Sequence, residues 1–177
     1  LRTSGYASED AAAACRRMAQ AGHIGKIVLS RRPEGEVQDL SSIVARGTVL
    51  VVGGLGALGS ALAQQLARKG AKRLVLAGRA AHVDAKLIEE LQADGAEVVI
   101  EPMDVTNPEA VEAVLQRIRS SGAPLKAVFH AAGVVQDGLL GSETWESYRQ
   151  AGAAKIEGAW NLHRLTAGDP VELMVFF

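Results

Sequence analysis

Glycines stand at positions 53, 54, 56 and 59, directly after the uninterrupted aliphatic run Val49–Val52. Glycine at this spacing permits a sharp turn, a close approach of an anion to the backbone, and close packing of a helix on a strand. We assign these tasks to Gly54, Gly56 and Gly59 in that order. The N–H groups and the positive dipole end of the helix that follows face the same turn, so the pattern predicts the binding of a pyrophosphate group.

A second chemically informative position lies at the end of the next strand, Arg73–Ala77, which is followed by Gly78 and Arg79. This is about twenty residues beyond the glycines, where NAD-binding folds place an acidic residue against the ribose 2′-hydroxyl. A carboxylate would repel a 2′-phosphate, whereas a guanidinium pairs with it. NADPH is therefore the predicted cofactor, and its phosphates are expected at Gly53, Gly54, Leu55, Gly56, Ala57, Leu58, Gly59 and Arg79.

Composition limits the class of protein. Of 177 residues, 48% are hydrophobic and 22% are charged, and the net formal charge is −1, as in an ordinary folded α/β domain without a broad basic surface. Because there is no broad basic surface, we expect no nucleic-acid partner. Because the apolar runs are only of strand length, we expect no membrane span and no signal peptide. The single cysteine, Cys15, fits a cytoplasmic location, and the scattered histidines predict no metal site.

Helix and strand patterns alternate after position 47, which predicts an α/β fold: a Rossmann-like, doubly wound parallel sheet with helices on both faces, incomplete at the C-terminus. Leu58, Leu62 and Leu66 are the predicted buried stripe of the first helix, and Asn107 is the predicted N-cap of the third. The predicted helices are Leu58–Lys69, Ala85–Asp94, Pro108–Arg119 and one within Ser142–Leu165; the predicted strands are Val49–Val52, Arg73–Ala77, Ala96–Glu101, Leu125–His130 and Val171–Phe177.

Residues 1–46 precede this alternation. The segment Ser8–Gly22 predicts a helix and Gly25–Leu29 predicts a strand, which together are too little to bury a core. The charged segment Arg31–Glu36 contains Pro and Gly without periodicity, as linkers do. We therefore expect a tail over 1–30, a linker over 31–46 and the main domain over 47–177.

Four motifs in this order resemble the ketoreductase domain of a type I, highly or fully reducing polyketide synthase, which is a relative of the short-chain dehydrogenases. They are the glycine run 53–59, Met103–Thr106 (MDVT), His130–Val134 (HAAGV) and Lys155–Leu162 (KIEGAWNL). In addition, Asp10–Ala19 with His23–Leu29 is similar to the C-terminal end of an enoylreductase domain. That similarity implies that residues 1–30 are the tail of a neighbouring enoylreductase domain in the same polypeptide.

The resemblance implies a reaction. The substrate would be a β-ketoacyl chain linked through phosphopantetheine to an acyl carrier protein, and the product would be the β-hydroxyacyl thioester. The family's catalytic set is a serine, a tyrosine, a lysine and an asparagine; Lys155 matches the lysine, whose cation holds the nicotinamide ribose and lowers the pKa of the tyrosine. The family's serine and tyrosine follow the fifth strand, beyond Phe177, so the 177 residues alone are expected to be inactive.

Further site residues follow from the resemblance. Asp104 and Val105 would lie beside the adenine ring, and the small residues Ala131, Ala132 and Gly133 would leave room for the cofactor. Asp137 matches the last acid of a Leu-Asp-Asp motif that accompanies reduction to the D-configured 3-hydroxyl, although Gln136 departs from the middle acid.

Two expectations concern neighbours of these residues. His130 is expected to be an ordinary buried histidine with its hydrogen bonds satisfied. Regular helical spacing predicts that Lys155 shares a face with Tyr148, Ala151, Gly152, Ala159 and Leu162.

Other classes stay open. A non-catalytic reductase-like half of a synthase, which scaffolds neighbouring domains, normally lacks the cofactor glycines, so the intact glycines, Arg79 and Lys155 argue against it. An extended short-chain dehydrogenase acting on nucleotide sugars, or a methyltransferase, would also use a glycine turn. Arg79 disfavours the methyltransferase, and the enoylreductase-like tail disfavours both.

Overall fold

The computed structural model describes residues 3–30, 39–79, 84–134, 138, 141 and 144–177. The chain divides into two compact units, Leu1–Gln38 and Asp39–Phe177.

The first unit is a parallel pair of strands with one helix. Strand β1 (Thr3–Ala7) pairs with β2 (Lys26–Ser30), and helix α1 (Ala11–Ala19) connects them after a 3₁₀ turn at Ser8–Asp10. The sequence missed β1, because the run Thr-Ser-Gly-Tyr-Ala has little of the aliphatic character typical of strands and forms one only against its partner.

The second unit contains a parallel sheet of five strands in the order β5-β4-β3-β6-β7, which confirms the predicted fold class. Its strands are β3 (Thr48–Val52), β4 (Arg73–Gly78), β5 (Glu97–Pro102), β6 (Leu125–His130) and β7 (Leu173–Phe176). Its helices are α2 (Leu40–Val44), α3 (Ala57–Arg68), α4 (Ala85–Ala93), α5 (Pro108–Ser120), α6 (Trp145–Ala153) and α7 (Ala159–Leu165), with a π-helical segment, Ala154–Gly158, between α6 and α7. Strand order reverses at β3, which pairs with β4 on one side and β6 on the other.

Helices cover both faces of this sheet, and each face has its own apolar core. On one face, Leu66 of α3 and Leu91 of α4 pack with side chains of β3 and β4. On the other face, Leu115 of α5 and Leu162 of α7 do the same. All of β3 is buried, as expected for a central strand covered on both sides.

Helix α2 lies within the segment that the sequence groups with the linker. Its Ile43 and Val44 are buried in the core beside α3, and the side chain of Asp39 caps its N-terminus by accepting from the Ser41 N–H. Five residues are too few to show a helical period, which is why the sequence did not reveal it.

Capping at the other helices follows the sequence closely. Asn107 Oδ1 accepts from the N–H groups of Glu109 and Ala110 at the start of α5, as predicted. Gly70, with φ +91°, follows the end of α3. The buried stripe of α3 needs one correction: Leu66 is buried, but Leu58 is 52% exposed, because the first turn of α3 lies beyond the carboxyl end of the sheet.

The largest departure lies between α6 and α7, where one regular helix was predicted. The π-helical segment Ala154–Gly158 breaks the period of 3.6 residues, so residues before and after it do not share the predicted face. Leu162 is fully buried whereas Tyr148 is 62% exposed, and Lys155 is exposed. The prediction of one common face is therefore wrong. Over the described ranges, no helix combines the length and apolar character that crossing a bilayer demands.

Candidate functional site

A cavity of about 570 Å³ opens at the carboxyl ends of the strands, where the strand order reverses. In open parallel sheets this is the position at which ligands bind. Nine of the predicted positions line it: Gly53, Leu55, Gly56, Arg79, Asp104, Val105, Ala131, Ala132 and Gly133. The other lining residues include Met103, Thr106, Val134 and Gln150, whereas the predicted Gly54, Ala57, Leu58 and Gly59 are not among the lining residues.

The glycine turn after β3 is built differently from the prediction in one respect. Gly53, not Gly54, takes the left-handed conformation, with φ +82°, and a β-carbon there would lie 2.7 Å from the backbone N of Ala132. Gly54 is needed for packing instead, since its β-carbon would meet the Val51 carbonyl oxygen at 2.9 Å. The sharp turn and the close approach to β6 therefore both belong to Gly53.

The other two glycines serve the helix that follows. A β-carbon on Gly59 would lie 2.0 Å from the carbonyl oxygen of Gly53, so the predicted close packing of α3 on the turn agrees with the structure. A β-carbon on Gly56 would have a single near neighbour, that same carbonyl oxygen at 3.3 Å. Because Gly56 also lines the cavity, its missing side chain leaves the backbone open to a ligand.

The N-terminus of α3 supplies hydrogen-bond donors at this point. The first helical bond runs from the Ser60 N–H to the Gly56 carbonyl at 2.8 Å. The N–H groups of Ala57, Leu58 and Gly59 precede that bond and have no acceptor within the helix. With the helix dipole, they create a region that favours an anion.

Two side chains of opposite charge, Asp104 and Arg79, also line the cavity. Asp104 Oδ1 accepts from the Thr106 N–H at 3.0 Å and from its hydroxyl at 2.8 Å. These two bonds, the backbone one first, and more weakly the positive charge of Arg79, hold the pKa of Asp104 below its usual value. Asp104 is therefore a fixed carboxylate, whereas the Arg79 side chain is exposed at the cavity.

The buried amide of Asn161, which the sequence analysis missed, fixes the loop that follows β5. Its Nδ2 donates to the carbonyls of Val105 and Thr106, each at 3.1 Å. A polar residue beside a core leucine, Leu162, was the available signal. Through these bonds α7 fixes the segment that carries Asp104.

Lys155 lies in the π-helical segment, next to Ala154; Ala154 lines the cavity, whereas Lys155 is not among the lining residues. Its Nζ donates a hydrogen bond to the carbonyl of Phe177. Its aliphatic stem passes over Gly133, where a β-carbon would lie 2.9 Å from Lys155 Cε. Gly133 therefore makes room for a lysine side chain as well as lining the cavity. Asp137, the predicted stereochemical residue, lies outside the described residues.

His130, at the end of β6, is 1% exposed, and its Nε2 lies 2.7 Å from the carbonyl oxygen of Ala154. Within the described part of the chain its Nδ1 has no hydrogen-bond partner, so the expectation of a fully satisfied histidine is wrong for one ring nitrogen. Burial lowers the pKa of His130; the bond to Ala154 opposes that effect, and the charge of Lys155 adds to it.

Among the described residues, no group of three or more His, Cys, Asp or Glu side chains is arranged to hold a metal ion. The site is instead made of backbone N–H groups, small residues, one arginine and one carboxylate. Together with the parallel sheet, it defines a Rossmann-type domain, the class that binds dinucleotides at a switch point.

Comparison with known proteins gives the particular family. The KR domain family matches residues 47–177. The chain belongs to this family, the ketoreductase domains of polyketide synthases, within the short-chain dehydrogenase/reductase superfamily.

Relatives from distant organisms agree. The chain is 36% identical over 184 residues to a mycocerosic acid synthase-like polyketide synthase of Mycobacterium tuberculosis, a match that covers 97% of this chain and 8% of that protein. It is 37% identical over 163 residues to a highly reducing polyketide synthase, PKS6, of Gibberella zeae, covering 86% and 6% respectively. The chain thus spans less than a tenth of these relatives' length.

Solved structures show the same fold. An A-type ketoreductase from a modular polyketide synthase superposes with a TM-score of 0.69 at 38% identity, over 75% of this chain and 29% of that one.

Proposed function

We propose that residues 47–177 are the NADPH-binding part of an enzyme that reduces the β-ketone of an acyl chain carried on an acyl carrier protein. The observation that carries this proposal is the cavity itself, which is lined by Gly56 and Arg79 at the reversal of strand order. When bound, the nicotinamide cofactor would supply the hydride that converts the β-ketoacyl thioester into the β-hydroxyacyl thioester.

The residues present suit the phosphates of this cofactor. The pyrophosphate would be held by the N–H groups of Ala57, Leu58 and Gly59, with the open backbone of Gly56 allowing close contact. The 2′-phosphate would pair with the Arg79 guanidinium through charge-assisted hydrogen bonds. Charge on the protein side is positive at both places where the ligand is negative.

Residues of the chain would also meet the adenine ring and the nicotinamide ribose of the cofactor. Asp104, held by Thr106, and Val105, held through its carbonyl by Asn161, would border the adenine ring. Lys155 would place its cation against the nicotinamide ribose and, as the family resemblance implies, lower the pKa of a tyrosine that protonates the new alkoxide. The family's serine and tyrosine have no counterpart within the 177 residues, so this polypeptide would bind cofactor without turnover.

The surroundings of the domain form part of the same proposal. Residues 1–30 would be the tail of an enoylreductase domain, residues 31–46 a linker, and the parent protein a cytoplasmic synthase with an acyl carrier protein as partner. Asp137 would direct reduction to the D-configured 3-hydroxyl. The match to one polyketide synthase covers 97% of this chain, and so includes both residues 1–30 and the ketoreductase part. This supports placing the two parts in one polypeptide.

Equilibrium titration of the chain with NADPH, followed by the nucleotide's fluorescence, tests the proposal. We expect saturable binding, and weaker binding of NADH. Saturable binding together with no NADPH oxidation in the presence of a β-ketoacyl thioester would agree with the proposal. Absence of saturable binding would reject it and favour the non-catalytic scaffold module.

A further inference from the structure

A closed circuit of hydrogen bonds joins His130 to Lys155. The His130 carbonyl accepts from the Phe177 N–H at 3.1 Å, and the Phe177 carbonyl accepts from Lys155 Nζ. The circuit closes through Ala154, the residue before Lys155, whose carbonyl oxygen lies 2.7 Å from His130 Nε2. The His130 ring therefore contacts Ala154, in the segment that carries Lys155. The His130 backbone contacts Phe177, the residue whose carbonyl accepts from Lys155.

The circuit defines the chemical state of the histidine. A carbonyl oxygen can only accept, so His130 Nε2 must carry the proton in the bond to Ala154. The ring is 1% exposed and stands near the Lys155 charge, and both conditions favour the neutral form. His130 is thus a neutral Nε2–H donor inside the core.

The same contacts lie at the place where the helix widens. A side chain that bonds to a helix carbonyl competes with the regular ladder, and π turns arise where that ladder is interrupted. The π-helical segment lies tightly against its neighbours, since a β-carbon on Gly158 would be 2.7 Å from Val105 Cγ1 and 3.4 Å from His130 Nε2. The backbone that carries Lys155 is therefore held by a hydrogen bond from His130 to Ala154 and by the close packing of Gly158 against Val105.

We propose that His130 is a positioning residue: by donating to the Ala154 carbonyl, it holds the π-helical segment so that the Lys155 side chain lies over Gly133, which lines the cavity, with its ammonium on the Phe177 carbonyl. The inference rests on the proposed function only for its purpose, since the contacts themselves do not require nucleotide. The contrasting possibility is that His130 merely fills the core, in which case any apolar side chain of similar size would serve.

Two variants of the full chain separate these possibilities. His130→Gln keeps an N–H donor at about the position of Nε2, whereas His130→Met keeps the volume without a donor. The rate at which an acylating reagent modifies Lys155, measured by mass spectrometry without nucleotide, should change about fivefold in His130→Met, the factor expected for one neutral hydrogen bond. His130→Gln should restore the wild-type rate.

A matched core variant provides the control. Val128→Ala removes buried volume from the same strand, so it should lower the unfolding temperature without altering Lys155 modification. Equal changes in Val128→Ala and His130→Met would overturn the proposal, as would an unchanged rate in His130→Met.

The wild-type chain offers a test that needs no variant. Nitrogen-15 shifts of the His130 ring should show the neutral Nε2–H tautomer, and an imidazolium or an Nδ1–H tautomer at neutral pH would overturn the inference. NADPH titration is a separate measurement. Failure there with the His130 results as expected would reject the proposed function and leave this coupling intact.

Discussion

The Lys155 side chain crosses directly over the α-carbon of Gly133, with its Cε 2.9 Å from where a β-carbon would stand. Gly133 follows β6 and lines the cavity, whereas Lys155 belongs to the π-helical segment between α6 and α7. Two sequence motifs that resemble the same family are thus in physical contact. The Lys155 side chain can take this path because position 133 has no side chain.

Replacing Gly133 with alanine should therefore displace Lys155 rather than unfold the domain. The backbone of Gly133 is not left-handed, and the atom that the new methyl meets belongs to a flexible side chain. We expect an altered rate of Lys155 acylation in the chain with little change in unfolding temperature. Under the proposed function, in which Lys155 belongs to the catalytic set, misplacing it by about 1 Å should cost on the order of a hundredfold in the rate of ketone reduction by an active protein. Gly168→Ala, with open space around it, is the control and should change neither quantity.

Arg79→Asp should reverse the cofactor preference. The change replaces a cation that would pair with the 2′-phosphate by an anion that repels it, so NADPH binding should weaken by at least about tenfold, the equivalent of one charge-assisted hydrogen bond. Binding of NADH should change much less, because it has no phosphate at that position. Fluorescence titration with both nucleotides measures the ratio; Arg164→Asp, the same charge change on α7, is the control. Equal losses for the two nucleotides would rule out the assignment of Arg79.

Alanine variants of Gly59 and Gly56 should differ in how much they lower the free energy of unfolding. Gly59→Ala drives a methyl to 2.0 Å from the Gly53 carbonyl oxygen, so helix and turn must move apart, and the overpacking should lower the free energy of unfolding by about 1–3 kcal/mol. Gly56→Ala meets that oxygen at 3.3 Å and should cost less than about 1 kcal/mol.

The same two variants should rank differently in nucleotide affinity. The methyl in Gly56→Ala stands where a pyrophosphate would contact the backbone, so affinity should fall more than stability does. Denaturant unfolding and NADPH titration of both variants give the comparison. A Gly56→Ala chain that binds like wild type would show that the phosphates do not approach at Gly56.

The parts of the fold that the sequence predicted are those with local causes. The aliphatic run of β3 and the Asn107 cap of α5 each depend on a few neighbouring residues. The parts it missed depend on contacts that are distant along the chain. Position 53 requires glycine because its φ is left-handed and because Ala132, distant along the chain, leaves no space for a side chain there.

The π-helical segment is the clearest case of a feature without a local signal. Its sequence, Ala154–Gly158, continues a helical pattern, and the widening is associated with the bond from His130 and the packing of Gly158 on Val105. Most residues that line the candidate site were predictable, because the glycines after β3 and the arginine after β4 are local signals in the sequence. The placement of Lys155 was not, because it depends on the register that the π turn changes.

Removing the buried amide of Asn161 should destabilise the domain. Asn161→Leu leaves the carbonyls of Val105 and Thr106 without this donor; the bond to Val105 is buried, and a buried acceptor left unsatisfied costs about 1–3 kcal/mol, whereas the part-buried Thr106 carbonyl should cost less. Denaturant unfolding should show the loss, and NADPH affinity should fall as well because the loop carries Asp104. His163→Ala, an exposed neighbour on α7, should change neither. An Asn161→Leu chain as stable as wild type would show that the hydrogen bonds from Asn161 to Val105 and Thr106 do not stabilise the domain.

The stability of the domain should decrease in mildly acidic solution because of His130. Burial holds the pKa of this imidazole below its ordinary value of 6.5 in the folded chain. As pH falls through 6.5, the unfolded chain therefore binds a proton that the folded chain does not, so the contribution of His130 is full above 6.5 and is lost as pH approaches the folded pKa. Lys155 is the charged group that acts on the ring, and Phe176 and Gly158, its neighbours from β7 and the π-helical segment, carry no charge.

Unfolding midpoints measured between about pH 5 and pH 8 test this. The unfolding midpoint of the wild-type chain should decrease as the pH is lowered below 6.5. The midpoint of His130→Gln, whose side chain cannot titrate, should decrease less over the same pH range. Asp104 provides the complementary control. Its pKa is depressed by Thr106, so its contribution to stability is lost only at a lower pH than that of His130. Identical pH profiles for wild type and His130→Gln would mean that His130 is protonated as readily in the folded chain as in the unfolded one, and would contradict the lowering of its pKa by burial.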